Sequence, residues 1–234
     1  MYGNIGANPL SEEAIQSPNH ERSHLAPYTR FDNNFSQEAF TTKKLQIIFM
    51  KKHSEELSHL KKCLQREVMV SEKPFSWSKT IHKAIKCPDR RFYFWWRIAN
   101  YLYRDGVAKK LAIRINRNLR NKYGLDIKLG AVIGEGLSIS HYVGIVIADC
   151  CTIGKNFYIK QNVTIGVKHN DQQGKIYIGD NVNIGANSCI IGNNLYIGDN
   201  VTVGAMSFIN KHIPVNCTVY TPKSENIEIV KKPE

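Results

Sequence analysis

The chain has 234 residues, 42% of them hydrophobic, which is ample for one or two domains with a core. Its formal net charge of +12 favours anionic partners: nucleic acid, a membrane surface, a phosphorylated cofactor or an acidic sugar polymer. No apolar run is long enough to span a membrane, the start lacks the layout of a secretory leader, and the six cysteines show no CxxC spacing. The expectation is therefore a cytoplasmic protein with reduced thiols, and with no motif that would read nucleic acid.

Residues 1–36 are polar and read as a flexible lead-in. Leu57, Leu60, Leu64 and Val68 then share one helical face, which predicts a helix from Gln37 to about Val68, ended by Lys73-Pro74. Two further helices follow, Ser76–Ile85 and Asp89–Arg104. The second is rich in aromatics (Phe92, Tyr93, Phe94, Trp95, Trp96), which suits a core more than a peripheral membrane contact. A fourth, Gly106–Tyr123, places Val107, Leu111, Ile115 and Leu119 at i,i+4 spacing, with Lys109, Lys110, Arg114, Arg117, Arg120 and Lys122 on its other side. Gly124 is a plausible stop. Residues 37–125 thus form a helical region.

From residue 126 to 220 an aliphatic residue returns every sixth position. Ile127, Ile133, Ile139 and Ile145 begin the series, and Ile147, Ile153, Ile159 and Ile165 resume it after a slip of two. Ile178, Ile184 and Ile190 follow an interruption, and Ile191, Ile197, Val203, Ile209 and Val215 complete it after a slip of one. A second apolar residue sits four places on, as at Leu137, Val143, Phe157, Val163, Val182, Leu195 and Val201. Six matches neither helix nor simple strand alternation; it matches a parallel β-helix with three short strands per coil. The fold class expected is α+β, helices followed by this solenoid, with 221–234 as a charged tail. The interruption, from Gly166 to Tyr177, should project outward as the wall of a site.

His141 stands at a corner of an early coil, fifteen residues after Asp126, and one coil is about eighteen residues. Both therefore flank one corner on neighbouring coils, so a carboxylate could hold Nδ1 and leave Nε2 to take a proton from a hydroxyl. His141, His169 and His212 lack the spacing of metal ligands, so no metal is expected.

A helical region leading into hexapeptide repeats, with Asp126-Ile127, then His141 in His-x-x-Gly-Ile-Val, then Gln161-Asn162-Val163-Thr164-Ile165-Gly166, resembles the serine acetyltransferase branch of the hexapeptide-repeat acyltransferases. The resemblance covers roughly residues 75–222. It implies a left-handed β-helix, a homotrimer with sites between subunits, acetyl-CoA as donor, and an Asp126–His141 dyad activating the acceptor hydroxyl. By position, the pantetheine arm would follow Gly185-Ala186 and Gly204-Ala205, Lys223 would lie near the nucleotide phosphates, and a backbone N–H around Gly166 would face the thioester oxygen. Ser140, Asp149, His169, Gln173 and Lys175 would face the acceptor.

The chain departs from that pattern at Ser140, where the family carries Asp before the histidine, and at Gln172-Gln173, where it carries Arg-His. Those charges would grip an amino acid. Their loss points to a sugar hydroxyl of a bacterial capsule, O-antigen or exopolysaccharide, and the positive net charge suits an anionic glycan. The alternatives are serine O-acetylation in cysteine biosynthesis and a catalytically silent scaffold that binds an anionic partner.

Overall fold

The computed structural model describes residues 33–168 and 174–222. The chain divides into two compact units, Met1–Lys43 and Lys44–Glu234, and the second holds the solenoid and the candidate site. Among the described residues, four helices precede the solenoid: α1 (Asn33–Leu64), α2 (Trp77–Lys86), α3 (Pro88–Asp105) and α4 (Lys109–Tyr123). A π-helical turn, Gln65–Met69, extends α1 and stops at Val70, which takes a left-handed φ of 46° before the proline is reached. Gly106 and Gly124 close α3 and α4 at φ 89° and 67°, where a side chain would be strained. No helix is long and apolar enough to cross a membrane among the described residues.

The apolar face of α4 differs from expectation. Val107 and Leu111 are exposed, at 67% and 51%, and the face that packs is Ala112, Ile115 and Leu119. Val107 lies ahead of the helix, and shifting the stripe by one residue lets small Ala112 meet Ala99 of α3 at close range.

The solenoid is a left-handed β-helix of three parallel sheets. The first sheet stacks β1 (Asp126–Ile127), β4 (Val146–Ile147), β7 (Thr164–Gly166), β10 (Cys189–Ile191) and β13 (Phe208–Ile209). The second stacks β2 (Val132–Ile133), β5 (Cys151–Ile153), β8 (Ile176–Ile178) and β11 (Leu195–Ile197), and Ile213 adds a single bridge to Ile197. The third stacks β3 (Ser138–Ser140), β6 (Tyr158–Lys160), β9 (Asn183–Ile184), β12 (Thr202–Val203) and β14 (Thr218–Val219). Equivalent aliphatics stack coil on coil: Ile127 on Ile147 on Ile165 on Ile190 on Ile209. Each buried Ile contributes about 1.5–3 kcal/mol, so the column offsets much of the ordering entropy of these short strands.

Two residues expected inside lie outside. Val143 is 65% exposed and Val215 is 49% exposed. Val143 sits in a corner lengthened by two residues, and Val215 in the last coil, where Ile197 meets Ile213 after only sixteen. Away from these, the corners repeat. Asn156, Asn181, Asn200 and Asn216 all take φ of 55–59°, a conformation Asn tolerates better than other side chains. Their amides form a ladder, each Nδ2 donating to the next Oδ1 at 2.8, 3.0 and 2.8 Å.

The first coil has no coil before it, and helix side chains satisfy its exposed edge. Trp96 Nε1 donates to Ile127 O at 3.3 Å, Asn100 Nδ2 to Ala131 O at 2.9 Å, and Arg97 to Ile133 O and Gly134 O at 2.6 and 2.8 Å. In return Glu67 accepts from Gly136 and Leu137 N–H, Asn100 from Gly130 N–H, and Tyr93 from Ile139 N–H. The aromatic helix α3 is thus a lid over an otherwise sticky strand edge, with Phe92 and Trp96 fully buried in the common core.

Candidate active site

The corner between β3 and β4 needs eight residues from Ile139 to Ile147, where the corner from Ile159 to Ile165 needs six. The two extra residues push His141 to Gly144 out of the wall. His141 is exposed with φ 57°, and Gly144, at the far end of the corner, stacks under the left-handed corner residues Asn162, Asn187 and Met206 of the following coils. Gly144 (φ 74°) is required there, since a Cβ would collide with Asn162 Oδ1. Tyr142 anchors the corner: its ring lies 5.3 Å from those of both Phe92 and Tyr123, and its hydroxyl donates to Asp89 O at 3.0 Å. Burial pushes that hydroxyl's pKa upward, so it stays a donor.

Asp126 lies beside this corner. Gly144 N–H donates to Gly124 O at 2.8 Å, Asp126 N–H to Ile145 O at 2.7 Å, and Asp126 is in register with Val146. Its carboxylate is split between two environments. Oδ2 accepts from Lys128 Nζ at 2.8 Å and lies 3.7 Å from Arg120 Nη1. Oδ1 is buried without a hydrogen-bond partner among the described residues. His141 and Asp126 share no hydrogen bond in the isolated chain; Asp126 lies against the residues that leave the His141 corner, Ile145 and Val146, with one acceptor oxygen unpaired.

Beyond Asp126 the same strand edge opens into a cavity of about 300 Å³ whose walls include Tyr103, Arg117, Arg120, Lys128 and Asp149. Asp149 and Tyr103 both pack beside Gly130, the left-handed turn that ends the rung. Lys175 is exposed on the neighbouring coil at this corner, where Ile176 N–H donates to Cys150 O at 3.3 Å. Ser140 is half-buried, in register with Lys160. His169, Gln173 and Lys223 lie outside the described residues, as does Gln172. Sequence reading missed Arg120 and Lys128, whose tie to Asp126 comes from the turn of α4 into β1; the density of Arg and Lys just before Asp126 was the available signal.

Gly185, Ala186, Gly204 and Ala205 fall on the corner column that begins at His141, with Met206 N–H donating to Ala186 O at 2.8 Å. A Cβ on Gly185 would strike the backbone of Ala205, so coil stacking itself requires that glycine. Gly166 is different: its φ is ordinary, and an added Cβ would meet nothing closer than Ala148 Cβ at 3.8 Å. Neither packing nor backbone conformation explains it, which leaves room for close approach of a ligand. A larger cavity of about 790 Å³, walled by Lys62, Arg66, Glu72 and Glu135, holds none of these residues. Among the described residues no three His, Cys, Asp or Glu side chains converge as metal ligands.

No protein-family model matches the chain. Over 71 residues, 30% of the chain, it is 41% identical to a serine acetyltransferase of Staphylococcus epidermidis and 35% identical to serine acetyltransferase 2 of Arabidopsis thaliana. The match spans only 32% and 22% of those proteins. The fold likeness is wider. Serine acetyltransferase of Neisseria gonorrhoeae superposes with a TM-score of 0.59 and 26% identity over 77% of this chain and 71% of that one. Isoform 3 from Entamoeba histolytica, in complex with cysteine, gives 0.60 and 24% over 85% and 71%.

These findings overturn the polysaccharide acceptor. That expectation rested on Ser140 and on Gln172-Gln173, three side chains at one corner and in one insertion, whereas the surrounding solenoid and the helices before it follow serine acetyltransferases. Side chains at a variable loop are a weak guide to substrate when the frame that positions them is shared. In its repeats, its helical lid and its fold, the chain is similar to serine acetyltransferases.

Proposed function

We propose that the protein is an acetyl-CoA-dependent serine O-acetyltransferase, acting as a homotrimer. The observation that carries this reading is the open Oδ1 of Asp126 beside the protruding His141 corner. A buried carboxylate oxygen without a partner is costly, and the imidazole Nδ1–H of His141 is a donor of the right kind at the right rung. With Nδ1–H held by Asp126, Nε2 faces outward as the general base. It takes the proton from the serine hydroxyl as that oxygen attacks the thioester carbonyl. The carbon–sulfur bond then breaks, and the imidazolium returns its proton to the leaving CoA thiolate. Asp126 stabilises the imidazolium in between and is not itself protonated.

The donor reading is supported by the corner column from His141 through Gly185-Ala186 to Gly204-Ala205, a path of small side chains leading away from the base. Gly166, at the end of β7 with open space where a side chain would be, would let a backbone N–H approach the developing oxyanion. Trimer formation is supported by the apolar residues that the solenoid turns outward, Val146, Tyr177, Tyr196 and Phe208 among them, exposed by 38–54%.

The test is direct. Full-length protein incubated with acetyl-CoA and L-serine should release CoA thiol in proportion to serine, with O-acetylserine seen by mass spectrometry. CoA release that does not respond to serine would refute the proposal.

A further inference from the structure

We infer that Arg120 and Lys128 form the clamp for the carboxylate of the acceptor, so that α4 and not only the solenoid sets specificity; this rests on the serine acetyltransferase reading. Both cations reach the same oxygen of Asp126, Oδ2, at 3.7 and 2.8 Å, while Oδ1 stays open. One carboxylate therefore separates two functions: Oδ1 is available to the base, and Oδ2 is tied to cations at the mouth of a cavity of about 300 Å³.

Those cations have donors to spare. Arg120 Nη1 is beyond hydrogen-bond distance of Asp126, and neither the Arg120 nor the Arg117 guanidinium makes a hydrogen bond among the described residues. A guanidinium carries five N–H groups in a fork that matches a carboxylate, and a lysine ammonium carries three. Arg117 and Arg120 are three apart on α4, hence on one face, and both line the cavity. Asp149, just past the end of the next rung, supplies a carboxylate for an ammonium. The cavity thus presents both signs of charge, as a zwitterion requires, at the rung where the acceptor hydroxyl must meet His141. In serine the carboxylate and the hydroxyl are separated by only two carbons, so both ends must be gripped within one rung of the base.

A structural role for Arg120 and Lys128, merely neutralising Asp126, would affect every acceptor alike. The experiment therefore compares L-serine with L-serinamide, in which a neutral amide replaces the carboxylate. For Arg120→Ala and, separately, Lys128→Ala, kcat/KM for serine should fall by about 10-fold or more, as expected for loss of a charge-assisted contact. Serinamide should change by less than about threefold, and the KM for acetyl-CoA should hold. Arg120→Lys should restore part of the serine preference. Equal losses for the two acceptors, or none for serine, overturn the clamp while leaving serine acetylation standing. A wild-type protein that acetylates neither overturns the function, and the clamp with it.

Discussion

Arg97 and Glu67 form a two-pronged ion pair, Nε to Oε2 at 2.8 Å and Nη2 to Oε1 at 2.7 Å, with side chains only 2% and 1% exposed. Each also serves the solenoid's first coil: Arg97 donates to Ile133 O and Gly134 O, and Glu67 accepts from Gly136 and Leu137 N–H. The pair is therefore a rivet between the helices and the edge strand. Glu67→Ala should destabilise the protein by about 3–5 kcal/mol in urea unfolding, because Arg97 is left charged and buried. An apolar double replacement often rescues a buried pair. Here it should not, because the backbone groups of the first coil would lose their partners too.

Asn181 occupies the middle of the amide ladder and takes φ 58°. Asn181→Ala loses two amide bonds and forces alanine into a left-handed corner, at a cost of about 2–3 kcal/mol. Asn181→Gly loses the bonds and keeps the conformation, so it should cost about half as much. Chemical denaturation of both variants checks the order.

Glycines of the solenoid should divide by their neighbours. Gly185→Ala drives a methyl into the backbone of Ala205 and should lower stability by about 1–3 kcal/mol. Gly166→Ala meets open space and should leave the melting temperature unchanged while slowing acetyl transfer, a split that thermal shift and steady-state rates together reveal.

His59 provides a pH signature. Burial, reinforced by the charges of Arg97 and Arg104, lowers its pKa from 6.5 to about 4. Between those values the unfolded chain binds a proton that the folded one does not, so stability rises with pH across this window and the effect is complete above about 6.5. His59→Gln should therefore gain on the wild type as pH falls from about 7 to about 4.5. A difference in melting temperature independent of pH would refute the burial of a neutral imidazole.

Much of the fold was legible because its signals are local and repeated. The sixfold Ile and Val register expresses a constraint that one coil imposes on the next, and Gly124 the left-handed turn that ends a helix. The slip of two between Ile145 and Ile147 was visible too, and it is the protruding His141 corner itself. What sequence could not supply was the junction. The tie of Arg120 and Lys128 to Asp126, the Arg97–Glu67 rivet and the exposure of Leu111 all depend on how α3 and α4 lie against the first coil, which no periodicity encodes. The acceptor was misread for a related reason: loop residues were weighed against the frame that holds them.

Serine acetylation by this chain depends most on His141 as the base. The decisive measurement is kcat for L-serine with His141→Ala, alongside calorimetric binding of CoA. The prediction is a loss of at least about 10²-fold in kcat with CoA affinity unchanged, and a smaller loss for Asp126→Ala. Wild-type serine acetylation by His141→Ala would contradict it.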